Sequence, residues 1–449
     1  MGGFLNGKFF QKLLKLIDIA YHWHPGKLAR DTAKMTLGMG LRSFIQVGVF
    51  IIVTRVLGVA DYGAYNAVLA LASALGGFCG FGTQALIVRD VSRNPSHFSI
   101  AWGLALTAIT ISVPILFSIY IVLAYLVLPD SVSFYVIVLL GIAELFFAPI
   151  SVAAITAYQG HERIGRSARL VLVPVVPRLV GALLLFPITQ ALSAELRLTV
   201  WAILYAIAAL LASLYGCWLV RKDLGPAVLP SSSALWRGLR EGLPFAFGGV
   251  ALRLYADIDK TMLAYFTTLT TVGAYSAGYR LADMASLPVI ALLIAALPRF
   301  FRAGQGELRH VLANGYRILP VPFAYAAIAG VGLYLGAEFL PYILGNHYAI
   351  TISTLRWLAW LPVISLPRMF LQDLLIGGNR QQGVVVILSV GALLNIGLNS
   401  VVIPLWGWRG AVASTYSTEV IMALMMFLMA WIATRSSSHV GKPEITDNE

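Results

Sequence analysis

Apolar residues in this chain come in runs of about twenty or more, parted by short stretches of glycine, proline, aspartate and serine. A helix of about 20 residues crosses the hydrocarbon core of a bilayer. On that length the chain divides into twelve candidate spans, near residues 35–57, 64–87, 100–128, 134–157, 169–190, 198–220, 243–266, 271–297, 318–337, 352–376, 383–404 and 410–434. The intervening segments GVADYG, LPDSVS and PLWGWRG carry turn formers, so the spans read as separate helices. One stretch does not fit a plain lipid-facing helix. Leu243 to Phe266 is long and apolar enough to span, yet it holds Arg253, Asp257, Asp259 and Lys260 near its middle. Each such charge at a helix centre costs roughly 2.5–3.5 kcal/mol on insertion scales, so the group must be housed in protein or water.

Composition turns this pattern into a class. The chain is 59% hydrophobic and 12% charged, about half the charge of a soluble domain, which marks an integral membrane protein whose core is the embedded bundle. The net charge of +12 does not point to nucleic acid, because the basic residues are scattered between spans and form no stripe. Cys79 and Cys217 lie in apolar runs without motif spacing and read as free, packed thiols.

The basic residues do sort by side. The arm before the first span, the loops after even-numbered spans and the tail hold 22 of them, against three (Arg55, Arg197 and Arg409) in the opposite loops. The positive-inside rule then places both termini in the cytoplasm of a multi-pass protein of the cell inner (plasma) membrane. No cleavable signal peptide is evident. Residues 4–20 set Phe9, Leu13, Leu16, Ile17 and Ala20 at helical spacing with Lys8, Lys12 and Lys15 on another face. That pattern reads as an interfacial amphipathic helix, with a solvated basic arm as the alternative.

An internal repeat supports the count. Gly63-Ala64-Tyr65-Asn66-Ala67-Val68-Leu69-Ala70-Leu71-Ala72 aligns without gaps on Gly273-Ala274-Tyr275-Ser276-Ala277-Gly278-Tyr279-Arg280-Leu281-Ala282, six identities in ten at an offset of 210. The offset joins the start of span two to the start of span eight. Duplication of a six-span unit gives two lobes of the same orientation, related by a pseudo-two-fold along the membrane normal. The expected organisation is a basic arm (1–32), an N-lobe (33–220), a cytoplasmic linker (221–241), a C-lobe (242–434) and a cytoplasmic tail (435–449). The fold class is all-α, twelve transmembrane helices in two six-helix lobes around a central cavity.

Intramembrane charges are the candidate chemistry, since they commonly face a bundle interior or an aqueous path. Arg253, Asp257 and Lys260 are spaced by four and three and fall within about 60° on one helix face; Asp259 points away, either to pair with another helix or to mark the approach to the outer surface. Arg280 and Asp283 are an i, i+3 pair in span eight, behind Tyr275 and Tyr279. Arg178 sits mid-span in the fifth helix, and Arg42 and Gln46 give span one a polar face. Basic groups from both halves make a cavity suited to an anion, with arginine able to grip phosphate through two bonds. Glu144 and Glu419 lack a basic neighbour within a turn of their own helices and are the better proton-coupling candidates; Asp257 and Asp283 are the other ion-coupling candidates. For any one of these residues the competing reading is an ion pair that fixes helix register. No phosphate-binding GxxxxGK[ST] loop, metal-ligand set or nucleophile motif is present, so neither an enzyme nor a cofactor is expected.

The segment Thr54 to Asn94 resembles the opening of Wzx-type polysaccharide-repeat flippases, in the multidrug/oligosaccharidyl-lipid/polysaccharide exporter superfamily. The likeness rests on Arg55, Leu57-Gly58, Tyr62-Gly63 and Tyr65, then Gly76-Gly77, Gly80, Gly82 and Arg89. A second zone, Glu241 to Phe300, resembles that family's seventh and eighth helices, with its GLPF entry, its charged centre, the VGAYSAGYRL run and the closing Pro298-Arg299. Weaker likeness runs through 342–360 and 406–420. The resemblance implies a V-shaped pair of six-helix lobes that moves a polyprenyl-pyrophosphate-linked oligosaccharide between leaflets while the prenyl tail stays among membrane lipids. It implies basic cavity residues for the pyrophosphate or acidic sugars, a role carried to Arg253, Lys260 and Arg280; Arg42 and Arg178 join them by placement alone. A proton or sodium gradient, a polysaccharide polymerase and glycosyltransferases are the further partners expected. Twelve spans, where the peptidoglycan-precursor flippases have fourteen, argue against those relatives. A drug or metabolite exporter of the same superfamily, or a membrane scaffold for polysaccharide assembly, stays open as an alternative.

Overall fold

A computed structural model describes residues 27–190, 193–303 and 319–436. The amphipathic arm at 4–20, the loop at 304–318 and the tail from 437 lie outside the described residues. Within them, nine helices are long and apolar enough to cross a membrane. The first, α1 (Lys27–Gly76), crosses twice, because Gly58 breaks it at φ 75° and ψ 175°, a conformation that costs glycine little and other residues more. Phe50 and Tyr62 show that the chain turns back there. Twelve positions apart, they would stand about 18 Å apart along a straight helix, yet their rings are 5.9 Å apart. The two charge-bearing helices, α9 (Ser232–Phe266) and α10 (Leu269–Ala303), supply the remaining crossings. The described residues thus make twelve crossings in two six-helix lobes.

In the N-lobe the second crossing passes through a short turn at Cys79–Gly82 into α2 (Thr83–Arg93), followed by α3 (Phe98–Val127). The fourth crossing is α4 (Phe134–Ile142), a π-turn at Ala143–Phe147 and α5 (Ala148–Gly160); the fifth is α6 (Ile164–Leu172) with α7 (Val175–Gln190), and the sixth α8 (Ala194–Asp223). The stretch 224–231 joins the lobes without a helix, and the Ser231 hydroxyl caps α9 by accepting from the Ala234 amide. In the C-lobe, α11 (Pro320–Gly336) and the short α12 (Leu340–Leu344) precede α13 (Thr351–Leu358) and α14 (Leu361–Gly377). The last two crossings are α15 (Gln381–Trp406) and α16 (Trp408–Ser436).

The repeat becomes a physical contact. A Cβ placed on Gly63 would lie 1.9 Å from the Leu269 carbonyl oxygen, and one on Gly273 would lie 1.8 Å from that of Val59. Val59 and Leu269 are separated by the same 210 positions as the two glycines, so the contact is its own image, as a two-fold axis requires. Near the interlobe connector a second crossing brings Gly82 against the backbone of Gly242, with Arg89 bonded to Glu241 at 2.5 Å. Large apolar side chains such as Leu183, Leu211, Ile328 and Leu393 stand exposed around the bundle, as a lipid-facing surface requires, while alanine-rich faces and Trp201, Tyr120, Tyr158 and Tyr275 are buried inside.

Candidate functional site

Both lobes wall a central cavity of about 390 Å³. The hairpin at Gly58 sets Gln46 and Phe50 of the first crossing beside Tyr62, Tyr65 and Asn66 of the second, and α7 and α8 add Arg178, Trp201 and Tyr205. The opposite wall is Asp257 and Lys260 on α9 with Tyr279, Arg280 and Asp283 on α10. Tyr65 lies edge-on to both Trp201 and Tyr205, at 6.0 and 5.9 Å, which closes that side with rings.

Three cations face this space, and their surroundings differ. Lys260 is buried and donates its ammonium to Asp257 Oδ1 at 2.6 Å and to the Ala256 carbonyl at 3.0 Å. Its Nζ lies 3.7 Å from Asp259 Oδ1 and 4.6 Å from the centre of the Tyr279 ring. Asp259 is buried as well; it accepts from the Lys260 amide at 2.8 Å and from the Tyr275 hydroxyl on α10. The residue that points off the stripe therefore pairs with the neighbouring helix. Arg178 stacks 4.0 Å over the Tyr205 ring and reaches Glu144 Oε1 at 3.6 Å, while the Tyr205 hydroxyl donates to the same oxygen at 2.5 Å. Glu144 is presented by the π-turn, a local widening that often marks functional positions. Arg280 donates to Gln46 Oε1 at 3.3 Å across the lobe boundary. Among the described residues it is the cavity cation without a carboxylate within ion-pair distance, so its expected i, i+3 partner Asp283 does not neutralise it by contact.

A second cavity of about 440 Å³ lies within the C-lobe and shares Ala256, Tyr279 and Asp283 with the first. Here Arg368 Nε meets Glu419 Oε2 at 2.5 Å, Arg368 Nη1 donates to Gln372 at 3.0 Å, and the Tyr255 hydroxyl donates to Glu419 Oε1 at 2.5 Å. Each lobe thus holds a glutamate bonded to a tyrosine hydroxyl and faced by an arginine. The two triads are not images under the repeat, since the offset of 210 does not map Glu144 onto Glu419.

The candidate set divides accordingly. Arg178, Lys260, Arg280, Asp257 and Asp283 converge on the central cavity, and Glu144 sits behind Arg178. Arg253 does not join them: its guanidinium donates to the Ser73 carbonyl at 3.1 Å and lies against Gly76, tying α9 to the second crossing. Arg42 is exposed one turn before Gln46 and has no hydrogen-bond or ion-pair partner among the described residues. Glu144 and Glu419, read from their own helices as lacking basic neighbours, receive them from other helices. Spacing along the chain does not mark Arg368, Tyr205 or Tyr255 as partners of these acids. The one available signal was the presence of a charge at Arg368 inside a span. A buried amide network, in which Asn399 donates to Asn395 at 2.9 Å and Asn395 faces Ser414 and Thr418 at 3.4 Å, likewise left no trace in spacing.

The two lobes, twelve crossings and intervening cavity match the fold of solved transporters of the multidrug/oligosaccharidyl-lipid/polysaccharide superfamily. The chain superposes on an inward-facing multidrug resistance MATE-family transporter of this superfamily with a TM-score of 0.72, over 92% of this chain and 100% of that one, at 14% identity. An outward-facing MATE transporter gives 0.57 over 92% and 97%, at 17% identity. A superfamily transporter from Pyrococcus furiosus, described as having a binding pocket of reversed polarity, gives 0.59 over 92% and 96%, at 15% identity. At these identities the likeness concerns the fold. The sequence itself matches the family model "Polysaccharide biosynthesis protein" over residues 28–303, more than half of the chain, and the chain belongs to that family. No curated protein matches the sequence.

Proposed function

We propose that the protein is a flippase that carries a polyprenyl-pyrophosphate-linked oligosaccharide from the cytoplasmic to the outer leaflet of the cell inner membrane by alternating access. The observation that carries this reading is Arg280, a cation at the lobe boundary held by a neutral amide at 3.3 Å. Lys260 and Arg178 have carboxylates within 3.7 Å, so their charge is largely spoken for; Arg280, with Arg42 one turn beyond Gln46, is left to meet a pyrophosphate. A guanidinium binds such a group through paired bonds, and a low-dielectric cavity strengthens them. The cavity of about 390 Å³ suits a pyrophosphate and its first sugar, while the rest of the glycan extends away and the prenyl chain remains in lipid.

Closer superposition on the inward-facing relative than on the outward-facing one supports an inward-open resting state. The positive-inside count of the loops supports the accompanying orientation, with both termini in the cytoplasm. Coupling to a proton or sodium gradient falls to Asp257, Asp283, Glu144 and Glu419, provided that the ion binds the two states unequally. A polymerase and glycosyltransferases are the partners on either side of this step. The second reading, export of a drug or metabolite, is favoured by the cavity volume, which is that of a small-molecule site. A deletion strain decides between them. Accumulation of lipid-linked oligosaccharide in the inner leaflet with loss of surface polymer supports the flippase; drug sensitivity without accumulation supports the exporter.

A further inference from the structure

At the end of the C-lobe remote from the connector, α11, α13 and α16 enclose a concavity of about 640 Å³. Its walls are aromatic: Tyr334 from α11, Trp357 from α13 with Trp360 just beyond it, and Tyr416 from α16. Tyr334, Trp357 and Trp360 leave 42%, 49% and 40% of their surface open. Single rings at a membrane surface are ordinary interfacial anchors. Here, however, the rings surround a charged pair. Arg356 lies 5.4 Å from the Tyr334 ring centre and meets Glu338 at 2.6 Å. Its Nε is buried and has no acceptor among the described residues. The rings are also held in place, since Tyr416 donates its hydroxyl to the Trp357 carbonyl and Trp357 stands edge-on to Trp408 at 6.0 Å.

The chemistry selects the ligand. A lipid tail gains nothing from an ion pair and an unspent N–H donor, and a phosphate is opposed by the Glu338 carboxylate that already neutralises Arg356. A sugar ring offers an apolar C–H face for Trp357 or Tyr334 and hydroxyls that both accept from Arg356 and donate to Glu338. We propose that this pocket is a glycan site that receives uncharged sugars of the translocated oligosaccharide. The proposal rests on the flippase reading. It adds a contact for sugars beyond the first, for which the central cavity of about 390 Å³ has no room.

The test uses the full chain in lipid nanodiscs and, as probe, the water-soluble oligosaccharide freed by mild acid from the producing cell's lipid-linked intermediates. Saturation transfer from protein to sugar protons is measured by NMR. The wild type is expected to show transfer, Trp357→Ala to bind about tenfold more weakly, and Trp357→Phe to keep most of the signal, which separates ring loss from misfolding. No transfer to the wild type overturns the proposal. So does transfer that survives Trp357→Ala combined with Tyr334→Ala, or that disappears in Arg280→Ala while Trp357→Ala is unaffected. None of these results touches the flippase reading, which fails only if the deletion strain does not accumulate lipid-linked oligosaccharide.

Discussion

Replacing Gly63 with alanine should push the transporter toward its outward-open state. The added Cβ would sit 1.9 Å from the Leu269 carbonyl oxygen, where ordinary contact begins at 3.4 Å. The two backbones must therefore part by about 1.5 Å, and neither atom belongs to a flexible side-chain end. Overpacking of this kind costs about 1–3 kcal/mol, and if the crossing is closed only in the inward-open state the whole cost falls on that state. The equilibrium then moves by a factor of about 5 to 150. Spin labels at Asp130→Cys in the N-lobe and His347→Cys in the C-lobe, with Cys79 and Cys217 replaced by serine, report the separation of the lobes at this end. Pulsed-EPR distances in Gly63→Ala should shift to longer values, and Gly273→Ala should do the same by symmetry. A folded variant with unchanged distances would show that the crossing does not move during access and would refute the reasoning.

Other consequences follow from the same contacts. Arg55 donates to the Ile343 and Tyr342 carbonyls at 2.5 and 2.6 Å, so Arg55→Ala should lower the inward-open population in the same EPR experiment, by less than Gly63→Ala because the bond is exposed. Arg368→Ala strands the buried Glu419 carboxylate and should cost about 3–5 kcal/mol in chemical unfolding; Arg368→Met with Glu419→Leu should recover much of it, and an undiminished loss in the double variant would count against the pair. Lys260→Met leaves Asp257 and Asp259 without their shared cation. It should lower the melting temperature and weaken transport together, whereas Arg280→Ala should weaken transport with little change in melting temperature.

Much of the architecture was legible because span length and the cost of buried charge act on local sequence. The six matching positions at an offset of 210 even locate the axis, since Gly63 and Gly273 touch. Which charges share a cavity was less legible. Arg253 and Lys260 fall within the same 60° arc of α9, but seven residues separate them by about 10 Å along the axis, and the second crossing claims the arginine. The environments of Glu144 and Glu419 could not be read from spacing, because Arg178 and Arg368 approach from other helices. Nor could the chain reversal at Gly58 have been separated from an ordinary loop without knowing that helical hydrogen bonding resumes at once on both sides.

The central claim is that Arg280 holds the pyrophosphate of a lipid-linked glycan. Its most direct test is translocation of a fluorescent polyprenyl-pyrophosphate-linked oligosaccharide in proteoliposomes reconstituted with wild type or Arg280→Ala. The account predicts transport by the wild type and at least a tenfold slower rate in the variant, with Arg280→Lys intermediate because it keeps the charge but loses the two-bond grip. Equal rates for wild type and Arg280→Ala would contradict it.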